Sequence, residues 1–137
     1  MKKMLKKAIS LIMILAVAFT LTGCGSKEKT LETFVNDNAT LKTQIESMSQ
    51  SDGNGKMIVD IKDNKVTYTY TFHDTASQEE VEQLKEYFNT AGSSFSNTFG
   101  SVAKQLEEAT KIKGITVEVI YLNGDSTELW KGTYTAK

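Results

Sequence analysis

The sequence predicts an α+β fold in which two helix-plus-β-hairpin units, in the order ααββ-α-ββ, form a four-stranded antiparallel sheet packed on a long helix. Two stretches, 57–72 and 115–135, alternate apolar and polar residues, which is typical of half-buried strands. Between them, residues 78–110 repeat apolar side chains at helical spacing, which is typical of an amphipathic helix. Strand runs separated by helices favour one sheet covered by a helical layer.

The first predicted unit opens with a short helical segment. Thr30 has a side chain suited to an N-cap, and Leu31 and Val35 follow at helical spacing. Residues 36–38, Asn-Asp-Asn, favour caps over helix interiors because their side chains compete for backbone hydrogen bonds. We therefore expect a second helix over residues 39–48, with one bent helix over both segments as the alternative.

A two-residue turn at Asp63-Asn64 divides the first alternating stretch into a β-hairpin. The apolar pairs that this turn brings opposite one another are Ile61 with Val66, Val59 with Tyr68, and Met57 with Tyr70. All six side chains then fall on one face of the sheet, because side chains of a strand alternate between faces. The other face carries Ile58 and the threonines of the second strand, Thr67, Thr69 and Thr71.

The helix predicted over residues 78–110 is the longest element of the chain. Ser77 and Glu80 have the spacing of a capping box at its start. Gly92 weakens the middle, since a glycine costs up to about 1 kcal/mol relative to alanine in a helix. Because the apolar stripe keeps its phase, we expect one bent helix of about 50 Å, with a kink near Gly92 as the alternative. Gly114 is the expected C-cap.

A second hairpin is predicted after residue 115, with its loop at residues 123–126. A loop of this length pairs Val119 with Trp130 and Ile120 with Leu129. That register places Ile120 and Leu129 on the sheet face that carries Ile58.

Residues 1–23 have the layout of an export signal. An apolar core at residues 8–19 follows a charged region formed by four lysines, Lys2, Lys3, Lys6 and Lys7. The core is shorter than the roughly 20 residues that a membrane-spanning helix needs. We therefore expect residues 1–23 to be a cleaved signal peptide and not a permanent anchor.

The stretch Leu21-Thr22-Gly23-Cys24 closes this segment as a lipobox. It resembles the signal of bacterial lipoproteins, in which the cysteine thiol takes a diacylglycerol and becomes the first residue. The resemblance implies signal-peptidase recognition at Leu21, Thr22 and Gly23 and lipid attachment at Cys24. A diacyl anchor holds stably, which predicts a protein anchored at the outer face of the cytoplasmic membrane. The alternative is a secreted protein with one free thiol.

Charge and cysteine content exclude several classes of protein. The chain has no arginine, and the part after residue 23 carries 12 lysines against 17 acidic residues, so nucleic-acid binding is not expected. The single cysteine, once lipidated, leaves the folded part without a disulfide or a cysteine nucleophile. Residues 24–29 are the lipidated cysteine and a short tether of at most about 17 Å. Residues 30–137 are expected to fold as a single domain close to the bilayer.

Five parts of the sequence together resemble a known pattern. They are the lipobox, the helix at residues 30–36, the strand at 66–72, the helix at 84–106, and the ending at 117–129 with its Tyr-Leu-Asn-Gly-Asp run. Together they resemble a domain-of-unknown-function family of small Gram-positive bacterial lipoproteins. The resemblance covers nearly the whole chain and implies a fold and a location, but apart from the lipobox it implies no functional residue.

Residues suited to catalysis are sparse. His73 lies at a predicted strand end beside Asp74, with no serine or cysteine in a recognisable nucleophile context. Glu79, Glu80 and Glu82 occupy the start of a helix, where the helix dipole explains them. The sequence has no glycine-rich phosphate loop and no cluster with metal-ligand spacing. We therefore predict no enzyme, no metal and no cofactor.

Two binding functions remain as hypotheses. In the first, an uncovered sheet face, or a free strand edge, binds a protein partner near the membrane. Its candidate residues are Ile58, Thr67, Thr69, Thr71, Ile120 and Leu129. In the alternative, a small-ligand or transport-associated binding lipoprotein, aromatic residues line a cleft between sheet and helix. Those aromatics, which also fit a closed core, are Tyr68, Tyr70, Phe72, Phe88, Phe95 and Phe99.

Overall fold

The computed structural model of the protein describes residues 30–137. Its elements are α1 (Leu31–Asn36), α2 (Ala39–Met48), β1 (Gly55–Lys62), β2 (Lys65–Phe72), α3 (Gln78–Thr110), β3 (Thr116–Leu122) and β4 (Glu128–Thr135). The strands form one sheet in the order β1-β2-β3-β4. The three helices contribute to a single hydrophobic core against one face of it, with α1 and α2 over β1 and α3 over β3 and β4. The fold is therefore α+β, with a long helix on a four-stranded sheet.

The sheet is mixed, and the prediction of four antiparallel strands is wrong at its centre. The β1–β2 and β3–β4 pairs are antiparallel hairpins, but β2 and β3 are parallel, with Val66 opposite Val117 and Tyr70 opposite Tyr121. The cause is α3, because one helix packed along a sheet carries the chain back to the end at which the preceding strand began. The two predicted hairpin units therefore meet through a parallel pair.

Helices α1 and α2 are separate, as the Asn-Asp-Asn interruption predicts. The Thr30 side chain accepts a hydrogen bond from the Thr33 N–H at 3.2 Å and caps α1. The Asn38 carboxamide accepts one from the Leu41 N–H at 3.1 Å and starts α2. The new cap supplies an acceptor for the second helix where the first ends. The apolar side chains that the two helices bury in the core are Leu31, Val35, Ile45 and Met48.

The start of α1 is fixed to the β1–β2 turn by three hydrogen bonds. The Leu31 N–H donates to Asn64 Oδ1 at 2.9 Å, and the Glu32 N–H donates to the Asp63 carbonyl at 2.9 Å. In return, the Asp63 N–H donates to Glu32 Oε2 at 2.7 Å. The Asn64 carbonyl also accepts from the Thr116 N–H at 2.9 Å, where β3 begins. One end of the sheet thus holds the first helix, the first turn and the start of β3 together.

The first hairpin has the predicted register. Met57 lies opposite Tyr70, Val59 opposite Tyr68, and Ile61 opposite Val66. Lys62 and Lys65 close the two-residue turn, in which Asp63 adopts a positive φ of 52°.

Helix α3 is continuous through Gly92 for 33 residues. Both bonds of the predicted capping box form, with the Ser77 N–H donating to Glu80 Oε2 at 2.8 Å and the Glu80 N–H donating to Ser77 Oγ at 3.5 Å. The helix ends at Lys111, which takes the left-handed conformation with φ of 62°. The prediction of Gly114 as the C-cap is therefore wrong, although Gly114 also has a positive φ, 75°.

The second hairpin forms, but the predicted register is wrong by two residues. The observed partners are Tyr121 with Trp130, Ile120 with Lys131, and Val119 with Gly132. The loop runs from Asn123 to Thr127, one residue longer than predicted, because the Asn123 N–H donates to the Thr127 carbonyl at 2.8 Å. A β-bulge adds the second residue, since Leu129 has no partner between the pairs at Tyr121 and Leu122.

The loop between β3 and β4 is locked against the segment that precedes α3. Asn123, which is 3% exposed, accepts a hydrogen bond from the Ala76 N–H at 2.8 Å and donates to the Ala76 carbonyl at 3.3 Å. The next residue, Gly124, packs so closely that a Cβ there would lie 2.7 Å from the Asp74 carbonyl carbon. In the Tyr-Leu-Asn-Gly-Asp run, the asparagine is therefore explained by its hydrogen bonds to Ala76 and the glycine by its close contact with Asp74.

Replacing Asn123 by alanine is expected to lower the free energy of unfolding by about 2 kcal/mol, because it leaves the buried N–H and carbonyl of Ala76 unpaired. Urea unfolding followed by circular dichroism measures the change. Asp125→Ala is the control, because Asp125 lies at the exposed tip of the same loop and bonds only to Thr127 in it. Equal losses for the two variants would contradict a bridging role for Asn123.

Candidate functional site

The sheet face opposite the helices is covered by no element in residues 30–137. Residues of β3 that point to this face are half-buried by their neighbours in the sheet, whereas those pointing to the helices are buried. The half-buried set is Thr116, Glu118, Ile120 and Leu122. We call this surface the open face.

Apolar side chains lie at the centre of the open face. Ile58 of β1 is 43% exposed and lies in one row with Thr69 and Ile120, at successive strands. Leu122 is two residues beyond Ile120 on the same face, in a row with Thr71. Branched side chains from three strands therefore form one continuous apolar strip.

The three threonines predicted for this surface all lie on it. Thr67, Thr69 and Thr71 are half-buried along β2, which is a central strand. Each presents a methyl group and a hydroxyl, so the middle of the face offers apolar contact together with hydrogen-bonding groups.

An ion-pair network bounds the apolar strip on one side. Glu118 Oε2 lies 3.7 Å from Lys65 Nζ and 3.7 Å from Lys131 Nζ, so lysines of both neighbouring strands flank one carboxylate. The Glu118 side chain is 12% exposed, and the lysine side chains are 49% and 46% exposed. Ion pairs whose lysines are this exposed add little stability. Their effect is to make the rim of the strip polar and charged on this side.

Leu129 does not belong to the open face, and its predicted place there is wrong. It is 3% exposed and lies in the core cluster. The bulge at Leu129 inserts one residue into β4, which shifts the alternation so that Leu129 and Trp130 both pack against the core. Lys131 takes the place opposite Ile120 that was expected for Leu129, and Leu122 of β3 is the further apolar residue on the open face. The alternation of β3 alone contains the signal for Leu122, whereas the bulge leaves no clear mark in the sequence.

The aromatic residues proposed to line a ligand cleft form the centre of the core. None of the six is more than 8% exposed. Phe88 of α3 lies 4.5 Å from Tyr121 and 5.4 Å from Trp130, measured between ring centroids. A Cβ at Gly132 would lie 2.5 Å from the Tyr134 hydroxyl, so the missing side chain makes room for neighbouring rings. These residues are buried in the core between sheet and helix.

Two buried tyrosines of this core keep neutral hydroxyl groups. Burial raises the pKa of Tyr68 and of Tyr121 well above the ordinary value. The Tyr68 hydroxyl has no hydrogen-bond partner among the described residues. Neither hydroxyl is placed or charged to act on a molecule at the surface.

The two edges of the sheet differ in how they are protected. On β1, the Met57 N–H donates to the Gln50 carbonyl at 2.7 Å, and the Val59 N–H donates to Ser49 Oγ at 3.1 Å. The segment after α2 thus occupies the first part of this edge. Strand β4 is the other edge of the sheet and pairs only with β3 within residues 30–137.

Side chains suited to metal or acid–base chemistry do not gather in the described part of the chain. Residues 30–137 hold no group of three or more His, Cys, Asp or Glu placed to bind a metal ion. His73 lies on the surface after β2, and its backbone N–H donates to the Asn54 carbonyl at 2.9 Å. In this range, no helix has the length and apolar character needed to cross a bilayer.

The predicted signal peptide, the lipobox residues Leu21, Thr22 and Gly23, and the lipid-attachment residue Cys24 lie outside the described residues. The same holds for the tether up to residue 29. These remain predictions from the sequence.

Comparison with known proteins gives one match. A family model described as "Domain of unknown function (DUF4854)" matches residues 31–134, which span α1 to β4. No curated protein and no solved structure matches the chain.

Proposed function

We propose that this chain, which belongs to the DUF4854 family of domains of unknown function, is a non-catalytic protein-interaction module. In this proposal Cys24 carries a lipid that anchors the protein at the outer face of the cytoplasmic membrane. The open face of the sheet binds a protein partner near the membrane. The observation that supports this most is the contrast between a closed aromatic core and an uncovered apolar strip at Ile58, Ile120 and Leu122.

The lipid anchor is supported by the order of the N-terminal sequence. A lysine-rich start, an apolar core too short to span a bilayer and the Leu-Thr-Gly-Cys ending follow one another in this order, with only residue 20 between the core and the ending. The chain has no second cysteine that could make Cys24 one half of a disulfide.

The open face has the composition of a contact surface for another protein. Its centre is apolar and carries no charge, and charged residues lie around it. Removing the exposed part of Ile58 and its neighbours from water favours association, at roughly 25 cal/mol for each Å² of apolar surface. The surrounding lysines and carboxylates supply orientation and specificity more than affinity.

Ile58→Asp and Ile120→Asp are expected to abolish co-purification of the partner from membranes while the protein stays folded. Each places an unpaired charge at the centre of the proposed contact, where its desolvation is costly. The measurement is affinity purification after cross-linking in intact membranes, with bound proteins compared by mass spectrometry.

Tyr87→Asp is the matched control. Tyr87 is 41% exposed, nearly the same as Ile58, but it lies on α3 and not on the sheet. The proposal requires the Tyr87 variant to retain the partner that both isoleucine variants lose. If all three variants retain the same proteins, the open face does not bind them.

A further inference from the structure

We propose that the end of the domain at the β1–β2 turn faces the anionic lipid surface, so that the strands stand upright on the membrane and the open face is presented sideways. This inference rests on the proposed lipid anchor. It concerns which surface of the domain contacts the lipid, because the presence of an anchor at Cys24 does not by itself determine this orientation.

The first argument is where the described chain begins. Three hydrogen bonds fix Leu31 and Glu32 to the β1–β2 turn, so residue 30 leaves the domain at that end of the sheet. From Cys24 to Thr30 the chain has six residue-to-residue steps, which span at most about 21 Å. The seven steps of β2, from Lys65 to Phe72, span about 23 Å, which exceeds the reach of this tether. The tether therefore keeps the turn end of the sheet close to the bilayer and sets no such limit on the opposite end.

The second argument is the distribution of lysines. Lys62 and Lys65 flank the turn, and Lys111 and Lys113 follow the end of α3. The path from Lys113 to Thr116, whose N–H bonds to Asn64 in the turn, is three residues, or at most about 10 Å. Lysines from two distant parts of the sequence thus meet at the end where the tether leaves.

Acidic residues at the same end are partly neutralised. Glu107 and Glu118 have side chains only 12% exposed, and each is ion-paired with a lysine. Glu107 also accepts hydrogen bonds from the N–H groups of Gly114 and Ile115, at 2.8 and 3.2 Å. In contrast, the Lys113 side chain is 79% exposed. Asp60, Asp63 and Glu108 are the acidic residues there that lie exposed to water, and Asp60 lies in the same row of the sheet as Glu118.

The opposite end of the domain carries mainly carboxylates. The acidic residues in its loops and at the start of α3 are Asp52, Asp74, Glu79, Glu80 and Asp125. An excess of acidic residues opposes contact with an anionic surface, while lysines near such a surface are attracted. Much of the negative charge of the protein therefore lies at the end away from the tether. Its repulsion from the anionic lipid turns the end with the lysines toward the bilayer.

The test uses a feature of the chain, which has no cysteine other than Cys24. In the lipidated protein, an introduced cysteine is the only thiol that a fluorophore can label. Glu108→Cys and Glu79→Cys form a matched pair, since each replaces an exposed glutamate in the last or first turns of α3 and leaves every lysine in place. A third variant, Thr133→Cys, places the label on the open face.

The lipidated proteins are reconstituted in vesicles that contain phosphatidylglycerol and a headgroup-labelled quencher. Quenching is expected to be severalfold stronger at position 108 than at positions 79 and 133. Replacing Lys62, Lys65 and Lys113 by glutamine is expected to reduce this preference, by roughly fivefold in the orientational equilibrium for each lysine near the surface. High salt should act in the same direction, because the Debye length shortens.

Equal quenching at the three positions, or strongest quenching at position 133, would overturn the upright orientation. The lipid mass on Cys24, measured on the same samples, separates the two proposals. If the lipid is present, such a result overturns the orientation alone. A free thiol at Cys24 overturns the anchor, and the orientation with it.

Discussion

Leu129→Asp is expected to lower the free energy of unfolding by about 4 kcal/mol, because it leaves an unpaired charge in an apolar core. Leu129 is 3% exposed and belongs to the core cluster, on the far side of the sheet from the open face. Urea unfolding of the purified protein measures the loss, which is expected to include a lower near-ultraviolet dichroism from the packed aromatics.

The same substitution at Ile58 is the control for this prediction. Ile58 is 43% exposed on an edge strand, so Ile58→Asp is expected to change stability by less than about 1 kcal/mol. Similar losses in the free energy of unfolding at the two positions would mean that the bulge in β4 does not point the Leu129 side chain toward the core.

Cys24→Ser is expected to move the protein from the membrane fraction to the soluble fraction and to abolish labelling with a fatty-acid precursor. The physical reason is that two acyl chains hold a protein stably at a bilayer. Fractionation of cells that produce either variant measures the change. Ile58→Asp is expected to stay in the membrane fraction, because it alters the proposed contact surface and leaves the lipobox intact.

Continued association of the Cys24→Ser protein with membranes would contradict the anchor. The folded part is expected to be unaffected in either case, because Cys24 lies outside residues 30–137. Its unfolding curve should therefore match that of the unsubstituted protein.

Local chemistry was sufficient to predict several elements from the sequence. The turn at Asp63-Asn64 fixes the register of the first hairpin, because a two-residue connection allows only one pairing that puts all apolar residues on one face. Ser77 and Glu80 mark the start of α3, and the unbroken apolar phase predicts its continuity through Gly92.

The parallel pairing of β2 and β3 could have been predicted, but only by following the path of the chain. A pattern of period two shows that a segment is a strand and does not show its direction. Direction follows from the single helix between the two strands, which returns the chain to the starting end of the sheet.

The placement of Leu129 could not be read from alternation alone, whereas that of Leu122 follows from the alternation of β3. A bulge changes the parity of a strand, and the one in β4 depends on how the loop from Asn123 to Thr127 closes. That closure depends in turn on the bond between Asn123 and Ala76, 47 residues earlier in the chain. The open face therefore contains Ile58, Ile120 and the threonines as predicted, with Lys131 opposite Ile120 in the place expected for Leu129.

The most direct test of the central claim, a domain held at the membrane through Cys24, is the intact mass of the protein extracted from the membrane fraction. We expect a chain that begins at Cys24 and is heavier than the polypeptide by at least one diacylglycerol. A chain that begins at Cys24 or elsewhere with an unmodified thiol, or one that retains residues 1–23, would contradict the claim.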